Sequence, residues 1–211
     1  MVLIVDYGAG NLRSVSKAVE RVGARPLVSH DPAALADADA VILPGVGAAA
    51  DTMAHLKRYG LVEPIRRYIA SGRPFLGVCM GLQALLTGSE EGGWHPCLDV
   101  VPGRVVRLPG GLKVPHMGWN RVDRRVDHPV LQDIPDGAHF YFVHSYRCAP
   151  QDDSFVVATT DYGGPFPSVL GRENWVATQF HPEKSGECGL RLYANFLYWA
   201  RRASATPAAT R

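Results

Sequence analysis

The stretch Phe75-Leu76-Gly77-Val78-Cys79-Met80-Gly81-Leu82-Gln83 joins an apolar strand directly to the start of a helix. Residues 75–78 form a short, continuous apolar run, which is typical of a strand that is buried on both faces. A helical pattern begins at Met80 and is predicted to run to about Leu86. A strand that passes at once into a helix is a unit of an α/β protein, so this stretch predicts a sheet covered by helices.

The same alternation of strands and helices precedes this stretch. Short apolar runs predict three earlier strands, at residues 2–6, 26–29 and 40–43. Apolar residues spaced by three or four predict helices at residues 12–22, 51–58 and 62–69. Strands that are separated by helices run parallel, so their carboxyl ends and the loops that follow them are expected at one edge of the sheet.

After Gly88 the pattern changes to short strands separated by turns. Strands are predicted at residues 100–108, 112–117, 139–146, 155–160 and 175–180, with a hairpin turn at Gly110-Gly111 and a last helix at 190–202. The predicted fold class is therefore α/β, with three layers, a mostly parallel flavodoxin-like central sheet and an additional β-rich, largely antiparallel part. Residues 1–202 are predicted to form one domain, and residues 203–211 a flexible tail.

Composition excludes several classes of protein. The 211 residues are 46% hydrophobic, and 22 Lys and Arg balance 20 Asp and Glu, which gives no signal for binding a polyanion such as nucleic acid. The start of the chain lacks the basic segment of a signal peptide, and no apolar run reaches the roughly 18 residues of a membrane span. The four cysteines form no CxxC pair and no dense framework, so free thiols in a reducing cytoplasm are expected.

Cys79 lies where a nucleophile would be placed. In Gly77-Val78-Cys79-Met80-Gly81 the small flanking residues permit a sharp turn that lifts the central side chain clear of the sheet. The amino end of the following helix favours the thiolate form. The alternative is an ordinary buried cysteine, which is the interpretation that we adopt for Cys97, Cys148 and Cys188.

His181 is the best candidate for the base that such a nucleophile needs. It follows the predicted strand 175–180 and precedes Pro182-Glu183, so Glu183 would lie on the same side of an extended chain and orient the ring. The alternative is a capped surface histidine. The backbone N–H of Met80 and the glycine loop Pro44-Gly45-Val46-Gly47 are candidates for stabilising an oxyanion, although the loop by itself indicates only a turn.

Two other kinds of site are weaker. Gly8-Ala9-Gly10-Asn11-Leu12-Arg13 imitates a dinucleotide-binding fingerprint, but Arg13 occupies the position of the third glycine, where bulk opposes helix–strand packing. There is neither an HExxH nor a CxxC motif, so no metal site is predicted.

Several blocks resemble the class I, triad-type glutamine amidotransferases. Gly77–Gln83 and, about a hundred residues later, Gln179-Phe180-His181-Pro182-Glu183 are shared by that whole family. A narrower set is similar to the glutaminase subunits of imidazole glycerol phosphate synthase. It comprises the blocks at residues 6–15, 43–47, 115–120, 142–146 and 180–185. The block Pro115-His116-Met117-Gly118-Trp119-Asn120 is the most specific of them.

The resemblance implies a function and a set of site residues. Cys79, His181 and Glu183 would be the catalytic triad, Gly47 and Met80 the oxyanion hole, and Gln83, Ser145 and Tyr146 the residues that bind glutamine. The partner would be a β/α-barrel cyclase in a heterodimer, with no cofactor and no metal, and glutaminase activity would be low until that partner holds its ligand. The residues expected at the partner interface or ammonia passage are Pro115, His116, Met117, Trp119, Asn120, His144 and Lys184.

Three alternatives remain open from the sequence. The chain could be the glutaminase of another biosynthetic enzyme, although the block at 115–120 argues against this. It could be a non-catalytic binding protein, which the complete triad opposes. It could also be a cysteine hydrolase that acts without a partner, which predicts full glutamine hydrolysis by the isolated chain.

Overall fold

The computed structural model describes residues 1–205, in which strands and helices alternate as far as Gln83 and strands then predominate. The strands are β1 (Val2–Val5), β2 (Pro26–Ser29), β3 (Ala40–Gly45), β4 (Phe75–Cys79), β5 (Leu86–Ser89), β6 (His95–Pro96), β7 (Val101–Arg107), β8 (His116–Arg121), β9 (Asp123–Arg124), β10 (His139–His144), β11 (Tyr146–Pro150), β12 (Val156–Asp161), β13 (Pro165–Gly171) and β14 (Trp175–Thr178). The α-helices are α1 (Leu12–Arg21), α2 (Ala33–Asp37), α3 (Ala49–Arg58), α4 (Val62–Ala70), α5 (Met80–Gln83) and α6 (Gly186–Ala205). Short 3-10 helices lie at Pro129–Leu131, Asp153–Phe155 and Pro182–Lys184.

An eight-stranded sheet forms the centre, in the order β2-β1-β3-β4-β14-β13-β12-β9. The first five strands in this order pair in parallel, and the last three are antiparallel. This confirms the predicted α/β class with its mostly parallel sheet and antiparallel addition. Strand β4 lies between β3 and β14, with Gly45 opposite Cys79 and Thr178 opposite Val78. The loops that follow these three strands therefore meet at one edge of the sheet.

Two hydrophobic cores pack against opposite faces of the central sheet. Because successive strand residues point to opposite faces, Leu3 and Val5 lie in one core and Ile4 lies in the other. The side chains of β3 alternate between the two cores in the same way. Both β1 and β3 are therefore apolar at almost every position. Full burial of one such side chain stabilises the fold by about 1.5–3 kcal/mol.

The predicted hairpin at Gly110-Gly111 is wrong. Strand β7 pairs with β5 and β11, whereas β8 pairs with β10 in a separate two-stranded sheet. Val101 and Val105 of β7 belong to one core, and Phe140 and Phe142 of β10 belong to the other. The chain around Gly110-Gly111 therefore connects two sheets that serve different cores.

Several predicted boundaries also differ from the structure. The helix that begins at Met80 ends at Gln83, because Leu86 pairs with Val101 in a strand that the sequence analysis did not predict. The predicted strand 139–146 is interrupted at Ser145, and its two parts join different sheets. The last helix continues to Ala205, so residues 203–205 are helical, and the rest of the predicted tail lies outside the described residues. Within residues 1–205, no helix is long and apolar enough to cross a membrane.

Candidate active site

Cys79 occupies a strained turn between β4 and α5. Its backbone has φ 54° and ψ −104°, a region that residues with a side chain rarely adopt. Such a conformation costs on the order of 1–3 kcal/mol and is found preferentially at functional sites. The predicted strand-to-helix elbow is therefore present, and it places the cysteine at the amino end of α5.

Three glycines allow this turn to pack against the neighbouring strand. A Cβ atom on Gly45 would lie 2.6 Å from Cβ of Met80, and one on Gly77 would lie 2.7 Å from the carbonyl oxygen of Gly81. A Cβ on Gly81 would overlap the carbonyl oxygen of Leu43, a residue of β3. Any larger residue at these positions would push the start of α5 away from the sheet.

His181 and Glu183 form a buried pair at the end of the adjacent strand β14. Nδ1 of His181 lies 2.8 Å from Oε1 of Glu183, and the two side chains are only 2% and 1% exposed. The chain here is not extended, as the sequence analysis assumed, because Pro182–Lys184 form a 3-10 turn. This turn brings the carboxylate back to the ring, so the predicted contact is made by a different backbone route.

The surroundings of His181 favour its protonated form. Burial, the strongest single influence, lowers its pKa, but the Cys79 sulfur and the Glu183 carboxylate together raise the pKa above its ordinary value of 6.5. Nε2 of His181 has no hydrogen-bond partner within residues 1–205. This nitrogen is consequently free to exchange a proton with the thiol or with a bound substrate.

A pocket of about 360 Å³ opens over Cys79. Its size suits a small molecule, since typical ligand pockets begin near 300 Å³. Its walls come mainly from the glycine loop, the nucleophile turn, the chain from the end of β10 to the start of β11, and the residue His181 after β14. The lining residues are Val46, Gly47, Cys79, Met80, Gln83, Glu91, Pro115, Val143, His144, Ser145, Tyr146 and His181. The structure thus gathers the sequence candidates for oxyanion stabilisation and substrate binding around one cavity. A groove of about 410 Å³ beside Cys188 contains none of them.

The sequence analysis missed two residues of this site. Glu91 lines the pocket, and its Oε2 accepts a hydrogen bond of 2.9 Å from the backbone N–H of Ala49. Gln179 is fully buried; its Nε2 lies 3.9 Å from the Cys79 sulfur, and its Oε1 accepts a bond of 3.1 Å from Nε2 of Gln83. Glu91 carried no signal in the sequence. Gln179 adjoins the His-Pro-Glu block in the sequence, and that position is the signal that could have identified it.

Known proteins resemble this chain over nearly its whole length. The family model for glutamine amidotransferase class-I matches residues 3–199. A Chloroflexus aurantiacus protein named imidazole glycerol phosphate synthase subunit HisH is 52% identical over 95% of this chain and 96% of its own. A protein of the same name from Syntrophotalea carbinolica is 54% identical over 93% of this chain and 98% of its own.

The chain belongs to the HisH family of class I glutamine amidotransferases.

Solved structures of other proteins have the same fold as this chain. The structure of PurLQS from Thermotoga maritima superposes with a TM-score of 0.74 and 20% identity, over 94% of this chain and 97% of that one. A structure described as a glutamine amidotransferase superposes with a TM-score of 0.75 and 22% identity, over 95% and 100% of the two chains. At such identities the likeness establishes the three-dimensional arrangement alone.

The seven residues that are predicted at the partner interface or ammonia passage differ widely in their exposure. Met117 and Trp119 are 60% and 57% exposed on β8, and Lys184 is exposed with its Nζ 5.7 Å from the centre of the Tyr141 ring. His116 and His144, by contrast, are buried side by side, with Nδ1 of His116 2.8 Å from Nε2 of His144. Pro115 lines the pocket and Asn120 is half-buried.

The buried histidine pair should make the stability of this amidotransferase sensitive to acid. Burial lowers the pKa of both His116 and His144 to about 4. An unfolded histidine takes up a proton near pH 6.5. Between these values the unfolded state binds more protons, so the free energy of unfolding is retained above about pH 6.5 and falls as the pH decreases towards 4. We expect a loss of about 3 kcal/mol between pH 7 and pH 5.

Urea unfolding at both pH values would measure this loss. The variant His116→Phe, in which an aromatic ring is kept between Tyr162 and Phe142, should lose at most about half as much as the unchanged chain. His181 acts in the opposite sense, because its raised pKa adds a small stabilisation as the unfolded histidine becomes protonated, but it does so equally in both proteins. An equal loss in the two proteins would show that other groups control the acid sensitivity.

Proposed function

We propose that this protein is the glutaminase subunit of imidazole glycerol phosphate synthase. It hydrolyses L-glutamine to glutamate and passes ammonia to a β/α-barrel cyclase, which makes imidazole glycerol phosphate and an aminoimidazole carboxamide ribotide in histidine biosynthesis. The observation that carries the proposal is a nucleophile turn at Cys79 beside the His181–Glu183 pair, which follows the adjacent strand β14, in a chain that is 52–54% identical to HisH subunits.

The first half of the reaction releases ammonia. The Cys79 sulfur attacks the carboxamide carbon of glutamine, which forms a C–S bond and a tetrahedral oxyanion. Met80 and Gly47 both line the pocket, and we assign their backbone N–H groups to the stabilisation of this negative charge. The intermediate then collapses: the C–N bond breaks as His181 donates a proton to the departing nitrogen, leaving a thioester on Cys79.

The second half restores the enzyme. A water molecule gives a proton to His181 as its oxygen attacks the thioester carbon, and the C–S bond then breaks to give glutamate. Glu183 holds the ring of His181 throughout and stabilises its positive charge. Gln179 donates an N–H towards the sulfur and so stabilises the thiolate before attack and after release. No step uses a metal or a cofactor.

The polar groups of the pocket suit the α-amino-acid end of glutamine. Glu91 is the carboxylate that lines the cavity, and we assign it to the α-ammonium group of the substrate. Gln83, Ser145 and Tyr146 line the same pocket, and we assign them to the rest of the substrate molecule. The opposite charges of Glu91 and the ammonium group would fix which end of glutamine reaches Cys79.

The partner docks on the outward face of the β8–β10 sheet. Trp119 lies opposite Tyr141 and Met117 lies opposite Val143, which also lines the pocket. Exposed aromatic and methionine side chains that adjoin an active site are typical of the centre of a protein interface. Ammonia released at Cys79 would pass this face, near Pro115, on its way to the cyclase. The four free cysteines suit a reducing cytoplasm, where we place the complex.

Replacement of Trp119 should weaken this docking. We expect Trp119→Ala to raise the dissociation constant for the cyclase by about tenfold or more, since central tryptophans contribute strongly to interfaces. Trp94→Ala is a matched control, because Trp94 is 55% exposed but lies outside the β8–β10 sheet. Titration calorimetry with both variants measures the difference, and similar affinities would place the interface elsewhere.

Glutamate release from glutamine is the test of the proposed function. The purified chain is assayed alone, with the barrel cyclase, and with the cyclase plus its nucleotide ligand. Strong stimulation in the third mixture is the expected result. Full activity of the isolated chain would instead favour a hydrolase that needs no partner, and inactivity in every mixture would contradict the assigned function.

A further inference from the structure

A continuous series of hydrogen bonds links the side chain of Asn120 to the backbone of the pocket. Nδ2 of Asn120 lies 3.1 Å from Nε2 of His116. Nδ1 of His116 lies 2.8 Å from Nε2 of His144, and Nδ1 of His144 lies 2.8 Å from the carbonyl oxygen of Tyr146. The mechanism above uses neither histidine.

The contacts at both ends determine the direction of every bond. Oδ1 of Asn120 accepts from the N–H of Arg121 at 2.7 Å and its Nδ2 donates to the carbonyl of Asp161 at 2.9 Å, so its NH₂ group must face His116. Nε2 of His116 is therefore an acceptor, and its proton is on Nδ1. At the other end the Tyr146 carbonyl only accepts, so His144 also carries its proton on Nδ1.

The two ends therefore lead independently to the same protonation pattern. Both rings are neutral, and each has its proton on Nδ1 and an acceptor at Nε2. A second proton on either ring would put two N–H donors opposite each other. Packing against Phe142, Tyr162 and Phe166 keeps the pair dry, and burial lowers the pKa of both histidines to about 4.

The final acceptor of this series is part of the wall of the pocket. The Tyr146 carbonyl also accepts a bond of 2.9 Å from Nε2 of Gln83, so both of its lone pairs are used. Gln83 in turn donates to Gln179, whose amide lies beside the Cys79 sulfur. The position of one carbonyl oxygen thus sets the position of Gln83 and of the segment between β10 and β11.

We propose that His144 and His116 are positioning residues, which hold the Tyr146 carbonyl and through it the glutamine-binding wall formed by Gln83 and Tyr146. The inference rests on the proposed function, because it takes the pocket to be a glutamine site. Asn120 sets the polarity of the series from its outer end. Loss of the bond to Tyr146 frees that carbonyl and the Gln83 amide to rotate, so substrate binding suffers more than the chemical step.

The protonation pattern can be tested without any activity measurement. NMR spectra of the full chain labelled with ¹⁵N-histidine at pH 7 report which ring nitrogen carries the proton. We expect both His116 and His144 to be protonated on Nδ1, the less common form of a free neutral histidine. A proton on Nε2 of either ring, or a positive charge on either, would overturn the proposed series.

Kinetics with saturating cyclase and its ligand test the positioning role. We expect His144→Phe to raise KM for glutamine about tenfold, the effect of about one lost hydrogen bond, with a smaller change in kcat. His144→Asn keeps an N–H near the Nδ1 position and should restore KM to within about threefold of the unchanged enzyme. His139→Phe, an exposed histidine on the same strand, controls for the substitution itself.

These experiments distinguish a failure of the positioning role from a failure of the proposed function. Equal effects of His144→Phe and His144→Asn, or a fall in kcat with KM unchanged, would mean that His144 has only a structural role. Thermal melting of both variants establishes whether they fold. If the unchanged chain fails to hydrolyse glutamine in any mixture, the proposed function fails, whereas the NMR result still decides whether the hydrogen-bond series exists.

Discussion

The Cys79→Ser variant is expected to release glutamate from glutamine at least about 10³-fold more slowly than the unchanged chain. The serine hydroxyl has nearly the same shape, so the turn at φ 54° and the pocket should be preserved. What is lost is the sulfur nucleophile itself, which lies beside the amide of Gln179. The assay is glutamate release in the presence of the cyclase and its ligand.

The other cysteines provide the control for this experiment. Cys188→Ser changes a partly exposed thiol on α6, outside the pocket, and should leave the rate within about twofold of the unchanged chain. Circular dichroism of both variants shows whether the fold is kept. A folded Cys79→Ser protein with a tenth or more of the original activity would exclude Cys79 as the nucleophile.

Gly81→Ala should strongly destabilise the fold. Two effects oppose each other at this position. Alanine is favoured over glycine inside a helix by about 1 kcal/mol. However, its Cβ would overlap the carbonyl oxygen of Leu43, a backbone atom of a central strand that is packed on both faces and has no room to move. The overlap should prevail, and we expect the free energy of unfolding to fall by about 3 kcal/mol.

Gly110→Ala is the matched control for this substitution. Within residues 1–205, no heavy atom outside Gly110 and its two chain neighbours lies within 4 Å of the Cβ that it adds, and the backbone of Gly110 has no positive φ. Its effect on the free energy of unfolding should therefore stay within about 0.5 kcal/mol. Urea unfolding of both variants measures the two effects. A Gly81→Ala protein that is as stable as the Gly110→Ala protein would show that α5 can move away from β3 without cost.

The sequence predicted those parts of the site that depend on local backbone chemistry. Cys79 between two small residues indicates a sharp turn, and His181 with Glu183 indicates a paired base, because each requirement is met within a few residues of the chain. Glu91 and Gln179 could not be assigned in this way. Glu91 reaches the pocket only because its carboxylate binds the N–H of Ala49, and Gln179 acquires a partner only when β14 pairs with β4.

The errors in the predicted fold also arise from contacts between residues that are far apart in the sequence. The sequence predicts strands at residues 100–108 and 112–117 with a hairpin between them; β7 agrees with the first, whereas β8 begins only at His116. Pairing was decided instead by the core to which each strand contributes, which depends on residues far along the chain. The early end of the helix after Met80 follows from the same kind of distant pairing, between Leu86 and Val101.

The neighbouring positions of β4 and β14 have a consequence for synthesis of the protein on the ribosome. Gln179 follows Cys79 by 100 residues, and His181 comes later still, so the proposed nucleophile is made long before its proposed base. Domains fold as their segments emerge, yet strand β14 must enter between β4 and β13 before the proposed catalytic centre exists. Under the proposed mechanism, a nascent chain, or a fragment from interrupted translation that ends before Trp175, would have the thiol but could not hydrolyse glutamine. Incomplete molecules are thus prevented by the topology itself from releasing ammonia when no partner can receive it.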